Sequence, residues 1–269
     1  MGALAQPIAD RIDDDALVIS PTTRQELDLL LLRCRLRESL ADNMGVTLAA
    51  RYRVGVRSLF VGPSGTGKTL AAAWLATKLG MPLYGVDLAS VTSKYIGETE
   101  KNLATLLARA EQADVILLFD EADSLFGKRT DIKEANDRFA NAQTNYLLQR
   151  IENYRGIVIL TSNSRNRFDA AFTRRIDLIL DFPLPGPEER RDLWRAHLGE
   201  GHALSGGELN RISAAADICG GHIRNAVLTA AVVARQAGRT VGFDDILEGL
   251  KVEYRKLGRQ MPPELLQIP

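Results

Sequence analysis

The sequence predicts an α/β protein: a doubly wound parallel sheet followed by a small all-helical domain. Three observations carry that prediction. Between Arg57 and Pro183, short apolar runs alternate with helical stretches, as they do when parallel strands are covered on both faces. One of those runs, Ser58-Leu59-Phe60-Val61, leads through a glycine-rich loop straight into a strong helix former, Leu70-Ala71-Ala72-Ala73-Trp74-Leu75-Ala76. After Pro183-Leu184-Pro185-Gly186-Pro187 the strand-like runs stop, and only helical patterns with Gly-rich breaks follow.

Bulk composition narrows the classes. The 269 residues suit one large domain or two joined ones, and 45% apolar with 25% charged residues is ordinary for a globular chain. Lys plus Arg and Asp plus Glu each count 34, so a generally basic nucleic-acid surface is unsupported. Cys34 and Cys219 stand far apart without CxxC or His company, which reads as thiols in a reducing compartment. Met1–Asp15 lacks a secretory pattern, and no stretch is apolar for long enough to span a bilayer. The expectation is a cytoplasmic protein that makes no membrane contact.

Taken in order, residues up to about Ser20 read as a polar tail. Thr23 followed by Glu26 has the form of a capping box, opening a helix to about Leu40. Leu27, Leu30, Leu31 and Cys34 lie on one face of that helix, and Leu29, Leu32 and Leu36 widen the stripe. The helix packs on the sheet domain or on a neighbouring subunit. Strands are predicted at Ser58–Val61, Leu83–Leu88, Val115–Asp120, Gly156–Ser162 and Ile176–Phe182, with helices at Glu98–Ala113 and Phe139–Glu152. The charged segment from Gly127 to Asn136 is expected to be a loop. Helices are predicted again at Glu188–Leu198, Glu208–Ile218, Ile223–Gln236 and Asp244–Leu257. The expected division is 1–50 for the tail and first helix, 51–185 for the sheet domain and 186–269 for the helical domain.

The loop Gly62-Pro63-Ser64-Gly65-Thr66-Gly67-Lys68-Thr69 is a complete match to the phosphate-binding P-loop pattern. Its glycines let backbone N–H groups converge on phosphate oxygens, and the positive end of the following helix adds to that field. Lys68 reaches the β- and γ-phosphates, and the Thr69 hydroxyl is a Mg²⁺ ligand. The strand Val115–Phe119 ends in Asp120-Glu121-Ala122-Asp123. Carboxylates at the carboxyl end of a buried strand face the crevice where such sheets bind ligands. Asp120 is the candidate to orient Mg²⁺, and Glu121 the candidate to polarise a water. The competing reading is that these acids only end the strand.

Together, Gly62–Thr69 and Leu117–Asp123 resemble the Walker A and Walker B motifs of AAA+ ATPases, over about Arg57 to Leu257. The resemblance implies ATP and Mg²⁺ as cofactors, a strand order of 5-1-4-3-2, a helical lid and ring-shaped homo-oligomers, usually hexamers. Asn163, after the fourth strand, is similar to the residue called sensor 1, which holds the lytic water; without the family it would be a turn residue. Arg174, in Asp169-Ala170-Ala171-Phe172-Thr173-Arg174-Arg175, resembles the arginine finger that acts on a neighbour's ATP. A second finger often follows three residues later, where Asp177 stands, so Arg175 is the candidate to compensate. Surface arginines are the bland alternative. Arg224, in Gly221-His222-Ile223-Arg224, resembles sensor 2 or is a solvated lid residue. Lys94-Tyr95-Ile96-Gly97 is similar to the pore loop that grips a polypeptide; otherwise Tyr95 and Ile96 staple a helix entry.

The resemblance implies a protein-remodelling ATPase whose ring moves its pore loops on a protein client. In wording the chain is similar to AAA ATPases associated with bacterial phage-tail-like contractile injection systems, which would make a particle component or cargo the client. Two other classes stand beside it: a clamp-loader-like ATPase directed to nucleic acid, towards which Arg224 leans, and an ATP-dependent scaffold with slow turnover. The three histidines show no ligand spacing, so no metal beyond Mg²⁺ is expected.

Overall fold

A computed structural model describes residues 2–91, 98–123, 146–168 and 170–266. The pore-loop candidates Lys94, Tyr95, Ile96 and Gly97, the loop from Gly127 to Asn136 and the first part of the helix expected at Phe139–Glu152 lie outside the described residues. The chain forms two units. One comprises the chain to Asp14, Pro21–Gly62 and Lys68–Asp181; the other comprises Asp15–Ser20, Pro63–Gly67 and the chain from Phe182 onward.

The first unit is built on a six-stranded sheet. Its strands are β1 (Ala5–Ile8), β2 (Val56–Val61), β3 (Leu83–Val86), β4 (Ile116–Phe119), β5 (Ile157–Ser162) and β6 (Leu178–Asp181), in the order β1-β3-β4-β5-β2-β6. All neighbours are parallel except β1 on β3. The five expected strands thus run 5-1-4-3-2, as the resemblance implied. Every residue of β2, β4 and β5 is buried, which accounts for their unbroken apolar runs. The second strand ends at Val86 instead of Leu88, because Leu88 opens a short helix, Leu88–Val91.

The polar-tail reading of the N-terminus is corrected. Ala5–Ile8 pairs antiparallel with β3 in the register Ala5↔Val86. Further along, Asp14 accepts a hydrogen bond from Trp74 Nε1 (2.8 Å), and the Ile12 N–H donates to Thr77 Oγ1. Edge pairing rests on backbone groups, so a four-residue segment, Ala5-Gln6-Pro7-Ile8, can complete a sheet edge while too short to show a strand periodicity.

The first helix runs from Pro21 to Leu36. It starts two residues before Thr23, with proline in the first turn where its missing N–H is no loss. Thr23 is therefore not a cap; it is buried and its hydroxyl donates to the Asp181 carbonyl at the end of β6. Leu27, Leu30 and Cys34 are buried within this unit, whereas Leu29, Leu32 and Leu36 are exposed. Burial pushes the Cys34 thiol up to about 12.

The second unit contains helices Pro187–Leu198, Gly206–Ala215, Gly220–Gln236 and Phe243–Lys256 and a short Pro263–Leu266 turn. Its core includes Trp194, Ile212, Ile223, Ile246 and Leu250. Two helices cross with their backbones touching, since a Cβ on Gly249 would lie 2.3 Å from the Ala226 carbonyl oxygen. Among the described residues no helix is long and apolar enough to cross a membrane.

Candidate nucleotide site

The loop after β2 begins as an extension of the sheet. The Gly62 N–H donates to the Ser162 carbonyl (3.1 Å), continuing the β2–β5 ladder by one residue before the chain turns away. Gly65 and Gly67 take φ of +79° and +97°, a region that L side chains avoid. Thr66 Oγ1 donates to the Pro63 carbonyl (2.9 Å) and braces the curl. Ser64 and Thr69 are exposed. Lys68 is the first residue of the helix Lys68–Leu79, yet only 8% of it is exposed.

The Lys68 ammonium folds back over the loop. Its Nζ donates to the Gly62 carbonyl (2.6 Å) and to Asn163 Oδ1 (3.3 Å). Parallel pairing of β2 with β5 makes this convergence possible, because it places Gly62 and Asn163 at the same end of adjacent strands. The structure thus brings together three residues that are 101 positions apart at the extremes of the sequence pattern, Gly62, Lys68 and Asn163. The Gly62 carbonyl and the Asn163 amide oxygen are neutral acceptors, and an anionic phosphate oxygen would be a stronger partner than either.

The acid pair sits at the end of β4, on the far side of β5 from β2. Asp120 accepts hydrogen bonds from the Thr161 hydroxyl and from the Glu121 N–H (3.2 Å). The Glu121 N–H also reaches Thr161 Oγ1 (3.1 Å), and the Ala122 N–H donates to the Thr161 carbonyl (2.9 Å). Glu121 has φ +51°, a left-handed conformation that a non-glycine residue adopts only where its surroundings fix it. Its side chain is exposed. Thr161 therefore sets both acids, and sequence reasoning passed over it. The register was the available signal: Phe119 pairs with Leu160, which puts Thr161 opposite Asp120.

The arginines fall into three environments. Arg174 is exposed, and its Nε donates only one turn back, to the Ala170 carbonyl (3.2 Å). Arg175 is ion-paired with Glu152 (2.9 Å). Asp177, at the place of a second finger, is bound by Arg57 through N, Nε and Nη2 and by Arg33 through Nη2 (2.6 Å). Arg57 also donates to the Glu152 carbonyl (2.7 Å). In the helical unit Arg224 is exposed, with Nη2 3.5 Å from Asn225 Oδ1. Burial and then the Arg224 charge hold the His197 imidazole below its ordinary value.

Among the described residues no three His, Cys, Asp or Glu side chains cluster as a metal cage. A Mg²⁺ bound with a nucleotide needs no such cage, because phosphates and waters fill most of its octahedron. A hydroxyl at the helix start and one fixed carboxylate, Thr69 and Asp120, fit that requirement.

A glycine-rich loop between a central parallel strand and a helix, a lysine folded over it and an acid pair at a nearby strand end together define a P-loop nucleotide-binding fold. Residues 58–184 match the family model "ATPase family associated with various cellular activities (AAA)". The chain is 38% identical over 135 residues to an uncharacterized AAA family ATPase of Sinorhizobium fredii, covering 49% of this chain and 40% of that protein. It is 28% identical over 207 residues to proteasome-activating nucleotidase 2 of Halobacterium salinarum, covering 72% and 50%. In fold it is similar to the FIGL-1 AAA domain in complex with ADP, with a TM-score of 0.70, 23% identity, and 93% and 87% of the two chains covered. The chain spans half or less of the length of these two curated relatives.

Proposed function

We propose that this protein hydrolyses Mg-ATP and couples the cycle to remodelling of a protein client, as a ring of identical subunits. The observation that carries the reading is Lys68, a nearly buried ammonium folded back over a phosphate loop, with Nζ donating to the Gly62 carbonyl and to Asn163 Oδ1. In this reading the backbone N–H groups of Ser64–Lys68 bind phosphate oxygens, and Lys68 exchanges the Gly62 carbonyl for the β- and γ-phosphates. Thr69 and Asp120 would hold Mg²⁺, which would neutralise phosphate charge. Glu121 polarises the attacking water, Thr161 keeps both acids in place, and Asn163 orients the water with an amide that can donate or accept.

Arg174 supports the ring. It is exposed and bonded within its own turn, free to offer a fixed charge and a donor fork to a neighbour's γ-phosphate. The finger is assigned to Arg174 and not to Arg175, whose guanidinium is held by Glu152. Arg224 is assigned to the subunit's own nucleotide as sensor 2. A protein client is favoured by the neutral net charge and by the likeness to a proteasome-activating nucleotidase. The resemblance in wording to ATPases of contractile injection particles makes a component or cargo of such a particle the client we would try first.

The test is the solution mass with Mg-ATP, with turnover on the same samples, for the wild type, Glu121→Gln and Arg174→Ala. Glu121→Gln should lose about 10²- to 10⁴-fold in turnover while retaining ATP and the ring. Arg174→Ala should bind ATP and lose about 10³-fold or more. A protein that stays monomeric at every concentration and turns over regardless of Arg174 would rule out the ring.

A further inference from the structure

The tip of the phosphate loop, Pro63–Gly67, belongs with the helical unit, and it is gripped there by backbone. The Gly221 N–H donates to the Gly65 carbonyl (3.1 Å). A Cβ on Gly65 would lie 2.6 Å from Cys219 Sγ, and one on Gly220 would lie 3.5 Å from the Gly65 carbonyl oxygen. Gly65 is thus pressed against the turn Cys219–His222, where the helix Gly220–Gln236 starts. The turn is itself anchored. His222 Nδ1 and Glu253 Oε2 are 2.7 Å apart, and Glu253, fully buried, also accepts from Lys256 Nζ.

We propose that the Cys219–His222 turn sets the phosphate loop for nucleotide, with Gly221 as the positioning residue. The reasoning is geometric. In a trans peptide the carbonyl of one residue and the N–H of the next point in opposite directions. Holding the Gly65 carbonyl with the Gly221 N–H therefore turns the Thr66 N–H the other way, towards the concave side of the loop where an anion is bound. A loop fixed in advance spends less binding energy on ordering itself when the ligand arrives. The Gly221 N–H is available because it lies in the first helical turn, where backbone donors have no partner within the helix. Its neighbour His222 ties that turn to the helix Phe243–Lys256, so the grip does not depend on a free loop.

This inference rests on reading the loop as a nucleotide site, and the experiment separates the two. Gly221→Pro deletes the donor and sets its ring Cδ against the Gly65 carbonyl, at a position in the first turn whose backbone tolerates proline. Gly221→Ala keeps the donor, and its Cβ meets Gly65 Cα at an ordinary 3.4 Å. Binding of Mg-ADP by calorimetry, KM and kcat for ATP, and melting without nucleotide are measured for both. Gly221→Pro should weaken Mg-ADP and raise KM by about 3- to 10-fold, with kcat at saturation unchanged. Gly221→Ala should bind as the wild type does.

Should Gly221→Pro not fold, Cys219→Leu, which crowds Gly65 from the same turn, is expected to weaken Mg-ADP in its place. Wild-type affinity in a folded Gly221→Pro, or in Cys219→Leu where that variant is the one used, overturns the inference and leaves the nucleotide reading intact. A wild-type protein that binds no Mg-ADP overturns the nucleotide reading itself.

Discussion

In the sheet unit, buried charge and candidate chemistry occupy opposite ends of the same strands. Arg57 is the second residue of β2, and the Asp177–Arg57–Arg33 cluster ties that end to the turn before β6 and to the first helix. The candidate nucleotide residues Gly62, Asn163, Asp120 and Glu121 stand where β2, β4 and β5 end, with the Lys68 ammonium folded back onto Gly62 and Asn163. Five residue steps of extended strand, about 17 Å at ~3.3 Å per residue, separate Arg57 from Gly62. The helical unit does not keep them apart. Its buried Glu253 binds His222, and the adjacent Gly221 grips the phosphate loop. Stability and site geometry are therefore separable in one unit and joined in the other.

That contrast can be broken by mutation. The largest effect is expected for Asp177→Ala, which leaves Arg57 buried without its carboxylate. It should cost about 3–5 kcal/mol of stability, read by denaturant unfolding, while ATP turnover per folded molecule stays at the wild-type value. A fall in turnover at full folding would show that the two ends of the strands are not independent.

Glu253→Gln should cost less, about 1–3 kcal/mol, because His222 and Lys256 are partly exposed and can turn to water. Unlike Asp177→Ala, it should also raise KM for ATP, by about 2- to 5-fold. Lost stability with an unchanged KM would mean that the helical unit separates its roles after all.

The smallest effect is a pH dependence. The Arg239 hydrogen bond, opposed by burial, holds Asp245 below its ordinary 3.8. For Glu253, burial pushes upward from 4.5, but hydrogen bonds from His222 and Lys256 outweigh it and leave the carboxyl lowered. Both values are depressed in the folded state, so their stabilisation is whole above the unfolded carboxylate range. It is lost as pH falls through that range, where the unfolded chain takes up protons first. Melting temperature should therefore decline below about pH 4.5, and Glu253→Gln should flatten the decline.

Two capping patterns show why some of the structure was legible and some was not. Ser205-x-x-Glu208 is a true capping box: Ser205 N donates to Glu208 Oε2 (2.7 Å), and Glu208 N donates to Ser205 Oγ (3.3 Å). The helix accordingly starts at Gly206, ahead of the Glu208 start expected from periodicity. Thr23-x-x-Glu26 has the same spelling and caps nothing, because Pro21 starts that helix earlier and the Asp181 carbonyl takes the Thr23 hydroxyl. A local pattern predicts a local structure only where no distant partner competes for the side chain. The same limit hid Thr161, whose importance depends on the residue opposite it in the next strand.

What the sequence determined by itself was what periodicity and loop chemistry encode locally. The parallel strands followed from unbroken apolar runs, the phosphate loop from its glycines between strand and helix, and the acid pair from its place at a strand end. Tertiary structure decided which of these groups meet. Strand order put Asn163 beside Lys68 and Thr161 beside Asp120, ion pairing tied Arg175 to Glu152 and left Arg174 exposed, and the grip of Gly221 on Gly65 joined residues 156 positions apart. The physical reason is one of range. Backbone preference and burial act within a few residues of a position, whereas hydrogen bonds and ion pairs between distant segments exist only once the fold has brought them within about 3 Å.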